Sequence, residues 1–327
     1  MKKERKEIYL DKNENPYKPS KNIIKELESF DIESFRLFPD YSAKELDLAM
    51  ANNLNIDKDN IISVNGMYEA FYCILNSFEN KKILLQEPYR DLYKKILEYS
   101  KISYDTIKIK EDYNIDLESF NNIDKSIIIT SNPNAETGLF VENIEKYINN
   151  NNNIYIIDES YISFAWNSAL RLIDKYDNLV IISSIAHSHS LSALNINFLI
   201  SNKTNIEKFS HIRQKYGINK LSEKIAISSI NDKETSIKNI SSIILERDKM
   251  ESLLSKEGFL VLPSKANFLL IKHPNKSSKY IYDELKKNHI FLKSYEDSNV
   301  LKDFLRVTIS DRKTNSIFLK ALCDIIN

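Results

Sequence analysis

Glycine is scarce in this 327-residue chain, which contains only Gly66, Gly138, Gly217 and Gly258. Neither G-x-G-x-x-G nor a G-x-x-x-x-G-K-[ST] loop can be written with them, so the dinucleotide-binding fingerprint and the P-loop are both excluded. Cysteine is scarcer. Cys73 and Cys323 are the only two, too few for a disulfide framework or a cysteine-based zinc site, and they point to a reducing, cytoplasmic compartment. There is no excess of either charge: 46 Lys+Arg stand against 46 Asp+Glu, which argues against nucleic acid or an anionic membrane as the main partner. No run approaches the roughly 20 apolar residues of a membrane helix. The charged start, Met1-Lys2-Lys3-Glu4-Arg5-Lys6, is followed by no apolar stretch of the signal-peptide kind.

What is present is alternation. Short β-branched runs (Lys82–Gln86, Ser126–Thr130, Ile154–Ile157, Leu179–Ile182 and Ile196–Ile200) read as strands, most of them apolar on both faces. Between them, helical patterns cover Ala43–Leu54, Met67–Phe78, Asp91–Tyr99 and Val141–Asn150. Such alternation predicts an α/β fold with a mainly parallel sheet covered by helices. From about residue 235 the pattern changes. A long amphipathic helix over Ile237–Leu254 precedes Gly258, and shorter strands and helices follow, as in a smaller α+β C-terminal domain. The Asn149–Asn153 run reads as a polar loop before a strand, and Trp166 as a core or an interface residue, core being the default.

In parallel sheets, ligands sit beyond the C-terminal ends of the strands. Chemistry-bearing residues follow the apolar runs here: Asn132-Pro-Asn134, Asp158-Glu-Ser-Tyr161 and Ser183 to His189. Other segments carry recognisable patterns: Asn13-Glu-Asn15-Pro16, Leu37-Phe38-Pro39-Asp40-Tyr41, Asn65-Gly66-Met67-Tyr68-Glu69, Ser264-Lys-Ala-Asn267-Phe268 and Leu305-Arg306-Val-Thr. In this order, and over nearly the whole chain, they resemble the histidinol-phosphate aminotransferase group of fold-type I pyridoxal-phosphate (PLP) enzymes, with its threonine-phosphate-decarboxylase-like branch. The resemblance implies an aspartate-aminotransferase-like fold and a homodimer. It further implies three parts: an N-terminal arm over residues 1–35, a large domain over 36–234 and a small domain over 235–327. The arm, with Asn13 and Asn15, would close over the active site.

PLP chemistry needs an acid at the pyridine nitrogen, a lysine for the aldimine and donors for the phosphate. By resemblance, Asp158 is the pyridinium partner, Tyr161 touches the cofactor's phenolic oxygen and Arg306 grips a substrate carboxylate. Other positions depart from the family. The aldimine lysine aligns with His187, after Ala186 in place of serine, and no lysine lies between Lys175 and Lys203. The phosphate-binding arginine is Asn195, and the glycine two residues on is Asn197. The phosphate-site pair after Asn65-Gly66 is Met67-Tyr68. The ring-bonding asparagine and its proline are Ala135 and Glu136, the stacking aromatic is Arg90 with Tyr89 beside it, and the tyrosine offered by a partner subunit is Phe38. Each lost charge-assisted contact removes about 1.5–3 kcal/mol of phosphate binding.

Asp158 and His187 should lie close together. They read either as an acid/base dyad with the imidazole pKa raised from about 6.5, or as a histidine hydrogen-bonded to the nearest acid. No cysteine or carboxylate cluster joins His187 and His189 into a metal site. Three functions follow: a degenerate family member that does not transaminate, either a pseudoenzyme that binds a small-molecule ligand or a partner or a protein with unrelated chemistry; a PLP- or pyridoxamine-phosphate-dependent aminotransferase or decarboxylase of a phosphorylated amino-acid-like substrate, with His187 as base; or a non-catalytic subunit that pairs with an active paralogue.

Overall fold

The computed structural model describes residues 7–78, 81–115, 117–120, 122–148 and 150–326. Strand β1 (Ile8–Leu10) leads through α1 (Asn22–Glu28) and α2 (Lys44–Leu54) into β2 (Ile61–Asn65), α3 (Gly66–Ser77), β3 (Lys82–Gln86), α4 (Asp91–Tyr99) and β4 (Tyr104–Ile107). Next come β5 (Ser126–Ser131), β6 (Ile154–Asp158), β7 (Leu179–Ser184) and β8 (Ile196–Ile200). Helices α5 (Lys203–Ile212), α6 (Lys220–Asn231) and α7 (Lys233–Lys256) precede β9 (Leu260–Val261), β10 (Phe268–Lys272), α8 (Ser278–Lys287), β11 (Ile290–Ser294), β12 (Leu305–Thr308) and α9 (Arg312–Ile326).

Two sheets result. The larger runs β2-β8-β7-β6-β5-β3-β4 and is parallel except for β8, which is antiparallel to both neighbours. Its central strands are rich in β-branched residues because both faces are covered. Ile127, Ile129, Ile156, Val180 and Ile182 face one helical layer with Phe71, Tyr93 and Phe209. Ile128, Ile157, Leu179 and Ile181 face the other with Leu46, Ala226 and Ile230. Each fully buried isoleucine contributes about 1.5–3 kcal/mol. The smaller sheet, β1-β11-β12-β10-β9, takes its edge strand from the N-terminus, with β1 parallel to β11. Its core includes Tyr161 and Phe164, contributed by the chain just after β6, so the two lobes pack directly beside the ends of the large sheet's strands.

Two expectations are corrected. Val141–Asn150 is not a helix; a short 3-10 turn, Ile144–Tyr147, stands there. The Asn132 side chain captures both backbone groups of Val141, at 3.0 and 2.9 Å, and holds the segment as a loop. Trp166 is 62% exposed rather than core, on a residue with φ of 61°. The asparagines after the loop are structural: Asn153 accepts from the Ser126 amide at 3.1 Å and donates to the Ile123 carbonyl at 2.8 Å, fixing the start of β5. Asn149 lies outside the described residues. Strands β2 and β4 and helices α5 and α6 complete the layers beyond the expected elements. No helix among the described residues is long and apolar enough to cross a membrane.

Candidate functional site

The strands deliver their polar residues to one edge of the large sheet. Asp158 ends β6 and is 1% exposed. A carboxylate buried that deeply must be paired, and residues of α4 and its N-cap and of the turn after β6 pair it. Tyr93 donates to Oδ2, and Arg90 reaches the same oxygen at 3.3 Å. The Ser160 amide and hydroxyl take Oδ1 at 2.9 and 2.5 Å. Tyr93 lies on α4, three residues after Arg90, so one helical turn presents cation and phenol together. Burial, and then the neighbouring carboxylate, hold the Tyr93 pKa well above the ordinary phenol value, so it stays a donor.

Asn13 organises the other side. It is 1% exposed and has φ of 57°. Its side chain donates to the Tyr161 hydroxyl at 2.8 Å, and its amide donates to Thr308 Oγ1 at 3.0 Å. Its carbonyl accepts from Asn267 and from His187 Nδ1, both at 2.8 Å. A carbonyl can only accept, so Nδ1 carries the proton and Nε2 is the basic nitrogen. The His187 ring stacks on Tyr161 at 4.6 Å and 15°, and its carbonyl accepts from Asn15 at 2.7 Å.

His187 therefore forms no dyad with Asp158, and its pKa is not raised. Desolvation and the Arg90 charge pull it from 6.5 down to about 4, and Asp158 opposes them only weakly. The reason is that Asp158 is already neutralised, while the cation that neutralises it repels an imidazolium. A depressed folded-state value means the unfolded chain binds the extra proton. The stability held above pH 6.5 is then lost as pH falls through about 4. In His187→Gln, the fall of unfolding free energy over that window should be shallower by close to one proton, read from urea denaturation at a series of pH values; an unchanged slope would contradict the assignment. His189 is also lowered to about 4, by burial, and bonds Ser188 Oγ at 2.9 Å. Among the described residues no group of three potential ligands could hold a metal ion.

Arg306, on β12, is 8% exposed. Its Nη1 donates to Glu136 Oε2 at 2.7 Å and to the Ala135 carbonyl at 2.9 Å, and its Nη2 to the Asp11 carbonyl at 3.2 Å. Tyr295 Oη donates to the same Glu136 oxygen at 2.5 Å. The residue expected to grip a ligand's carboxylate thus already holds one, supplied by the loop after β5.

None of the positions expected to form the phosphate corner carries a cation. Asn195, with φ of 51°, lays its amide over Gly66, where an added Cβ would meet Nδ2 at 2.3 Å. That amide sits 3.4 Å from Asn65 Oδ1. Asn197 is turned to the Ser183 carbonyl at 3.3 Å. Met67 is buried in the apolar core and Tyr68 is 51% exposed. Tyr89 packs edge-on against Tyr104 rather than facing Asp158. Phe38 is 82% exposed and stacks on Tyr216 at 4.9 Å. Tyr93, Ser160 and Tyr295 were not singled out from sequence: in a helix or loop each reads as ordinary packing, and only the fold reveals the carboxylate it meets.

A seven-stranded, mainly parallel sheet beside a smaller sheet, with an acid at the end of β6 and an arginine on β12, defines an aspartate-aminotransferase-like, fold-type I protein. The family profile "Aminotransferase class I and II" matches residues 5–322, and the chain belongs to that family. It is similar to the histidinol-phosphate aminotransferase of Clostridium botulinum (strain Kyoto / Type A2), with 32% identity over 333 residues that cover 99% of this chain and 94% of that protein. The crystal structure of the histidinol-phosphate aminotransferase from Clostridium acetobutylicum superposes with a TM-score of 0.88 at 27% identity, covering 97% of this chain and 98% of that one. The enzyme of the same name from Sinorhizobium meliloti, solved in complex with pyridoxal-5′-phosphate, shares the fold at a TM-score of 0.88 and 17% identity, covering 98% of this chain and 90% of that one.

Proposed function

We propose that this chain is a degenerate member of the histidinol-phosphate-aminotransferase-like group that does not transaminate, and that its cleft serves binding rather than turnover. The observation that carries the reading is position 187. It holds an imidazole, stacked on Tyr161 and tied to the Asn13 carbonyl, where the family's resemblance calls for a primary amine. Imidazole cannot condense with an aldehyde to a Schiff base.

The remaining residues do not fit PLP either. The Asp158 oxygens are taken by Arg90, Tyr93 and Ser160. The phosphate corner offers the neutral amides of Asn65 and Asn195 in place of a guanidinium, and a phosphate dianion held without charge-assisted donors is weakly bound.

The exposed aromatic patch of Phe38, Tyr41 and Tyr216 supports a homodimer, since apolar patches rimmed by polar residues mark association surfaces. Two unpaired cysteines support a cytoplasmic location. The reading is tested by titrating the purified protein with PLP. The expected spectrum is that of free coenzyme throughout. A saturable band of a protein-bound aldimine at one per chain would overturn the proposal.

A further inference from the structure

The Glu136–Arg306 pair joins the lobes. Glu136 belongs to the loop after β5 of the large sheet, while Arg306 lies on β12 and Tyr295 directly after β11 of the small one. One carboxylate oxygen thus receives a guanidinium N–H at 2.7 Å and a phenolic O–H at 2.5 Å, both from the smaller lobe. A cation and a neutral donor converging on one oxygen make a carboxylate receptor. We propose that Glu136 is a built-in ligand: its carboxylate occupies the Arg306–Tyr295 receptor in place of a small carboxylate from solution, and so latches the smaller lobe onto the loop after β5.

Three observations separate this from an ordinary structural ion pair. Arg306 Nε is buried and has no hydrogen-bond partner, although guanidinium groups bind carboxylates best through two parallel N–H bonds. Glu136 meets the guanidinium through one nitrogen only, so the receptor holds its internal ligand incompletely. Second, Glu136 and Tyr295, though not Arg306, line a cleft of about 750 Å³ between α4 and the segment after β11, so removing the Glu136 side chain would open the receptor to a small carboxylate from that side. Third, the guanidinium lies over the Phe268 ring at 5.0 Å and bonds the Ala135 and Asp11 carbonyls; these contacts hold it in place independently of Glu136.

The inference rests on the reading of the cleft as catalytically silent, yet the two fail separately. An aldimine band would sink that reading and leave the carboxylate titration unaffected.

The test is calorimetric titration of the full-length protein with succinate against sodium chloride at matched ionic strength. Glu136→Ala should bind succinate at least about tenfold more tightly than the unaltered chain. Glu136→Gln, which keeps the shape of the loop, should show the same direction. Glu136→Ala combined with Arg306→Met should lose the gain. Circular dichroism confirms that each variant is folded. Equal succinate affinity in the unaltered chain and both single variants would overturn the proposal. So would a gain that survives Arg306→Met.

Discussion

Arg306→Ala should destabilise the protein by about 3–5 kcal/mol, because it leaves the Glu136 carboxylate buried without its counter-ion. Glu136 and Arg306 are both 8% exposed, so a charge left unpaired there is poorly hydrated. Tyr295 would remain as a neutral donor at 2.5 Å, which satisfies a hydrogen bond but not a charge. The reverse change, Glu136→Ala, strands the guanidinium instead and should also destabilise. Because each single change leaves one buried charge alone, the double variant should cost less than the sum of the two. A coupling of about 2 kcal/mol is the expected scale for a contacting buried pair. Urea unfolding of the four proteins measures it. Additive effects would show that the pair is not a unit.

The second large effect is expected at Gly138, four residues after Asn134 on the same loop. Its φ is +79°, a conformation that costs an L-residue about 1–2 kcal/mol. A Cβ there would meet Ser264 Oγ at 2.3 Å, Ser264 Cβ at 2.8 Å and the Ser264 backbone at 3.3 Å. The hydroxyl could turn aside, but the backbone cannot, since the Lys265 amide donates to the Gly138 carbonyl at 2.8 Å. Gly138→Ala should therefore cost about 2–4 kcal/mol, combining backbone strain with overpacking between the lobes. Adding Ser264→Gly should recover the steric part and leave the strain. A Gly138→Ala protein within about 0.5 kcal/mol of the parent would mean that the loop and the smaller lobe separate freely.

Both predictions concern one loop, residues 132–138, which shows what a sequence can and cannot disclose. The strands were legible because an isoleucine-rich run needs cover on both faces, and the residues after them fell at the sheet edge, as parallel topology requires. Asp158 and His187 could each be placed in that way, and Arg306 by the family resemblance. Their partners could not. Glu136 and Arg306 are separated by 170 positions, and no local pattern records that a residue standing where the family has proline would reach an arginine across the cleft. The expected Asp158–His187 relation failed for the same reason. Arg90, 68 positions before Asp158, pairs with that carboxylate and, after burial, is the larger charge acting on the imidazole. The helix expected over Val141–Asn150 was lost to a side chain, Asn132, that competes for the backbone from nine residues away.

The central claim is that no amine in this cleft, among the described residues, is set to condense with PLP. Lys94, Lys95 and Lys293 line the 750 Å³ opening; the Lys293 ammonium pairs with Asp91 at 3.3 Å and that of Lys94 with Glu98 at 3.7 Å. Incubation with PLP, reduction with borohydride and peptide mass spectrometry tests the claim most directly. The account predicts only scattered, substoichiometric labelling of surface lysines. One lysine peptide carrying a reduced pyridoxyl group at close to one per chain would contradict it.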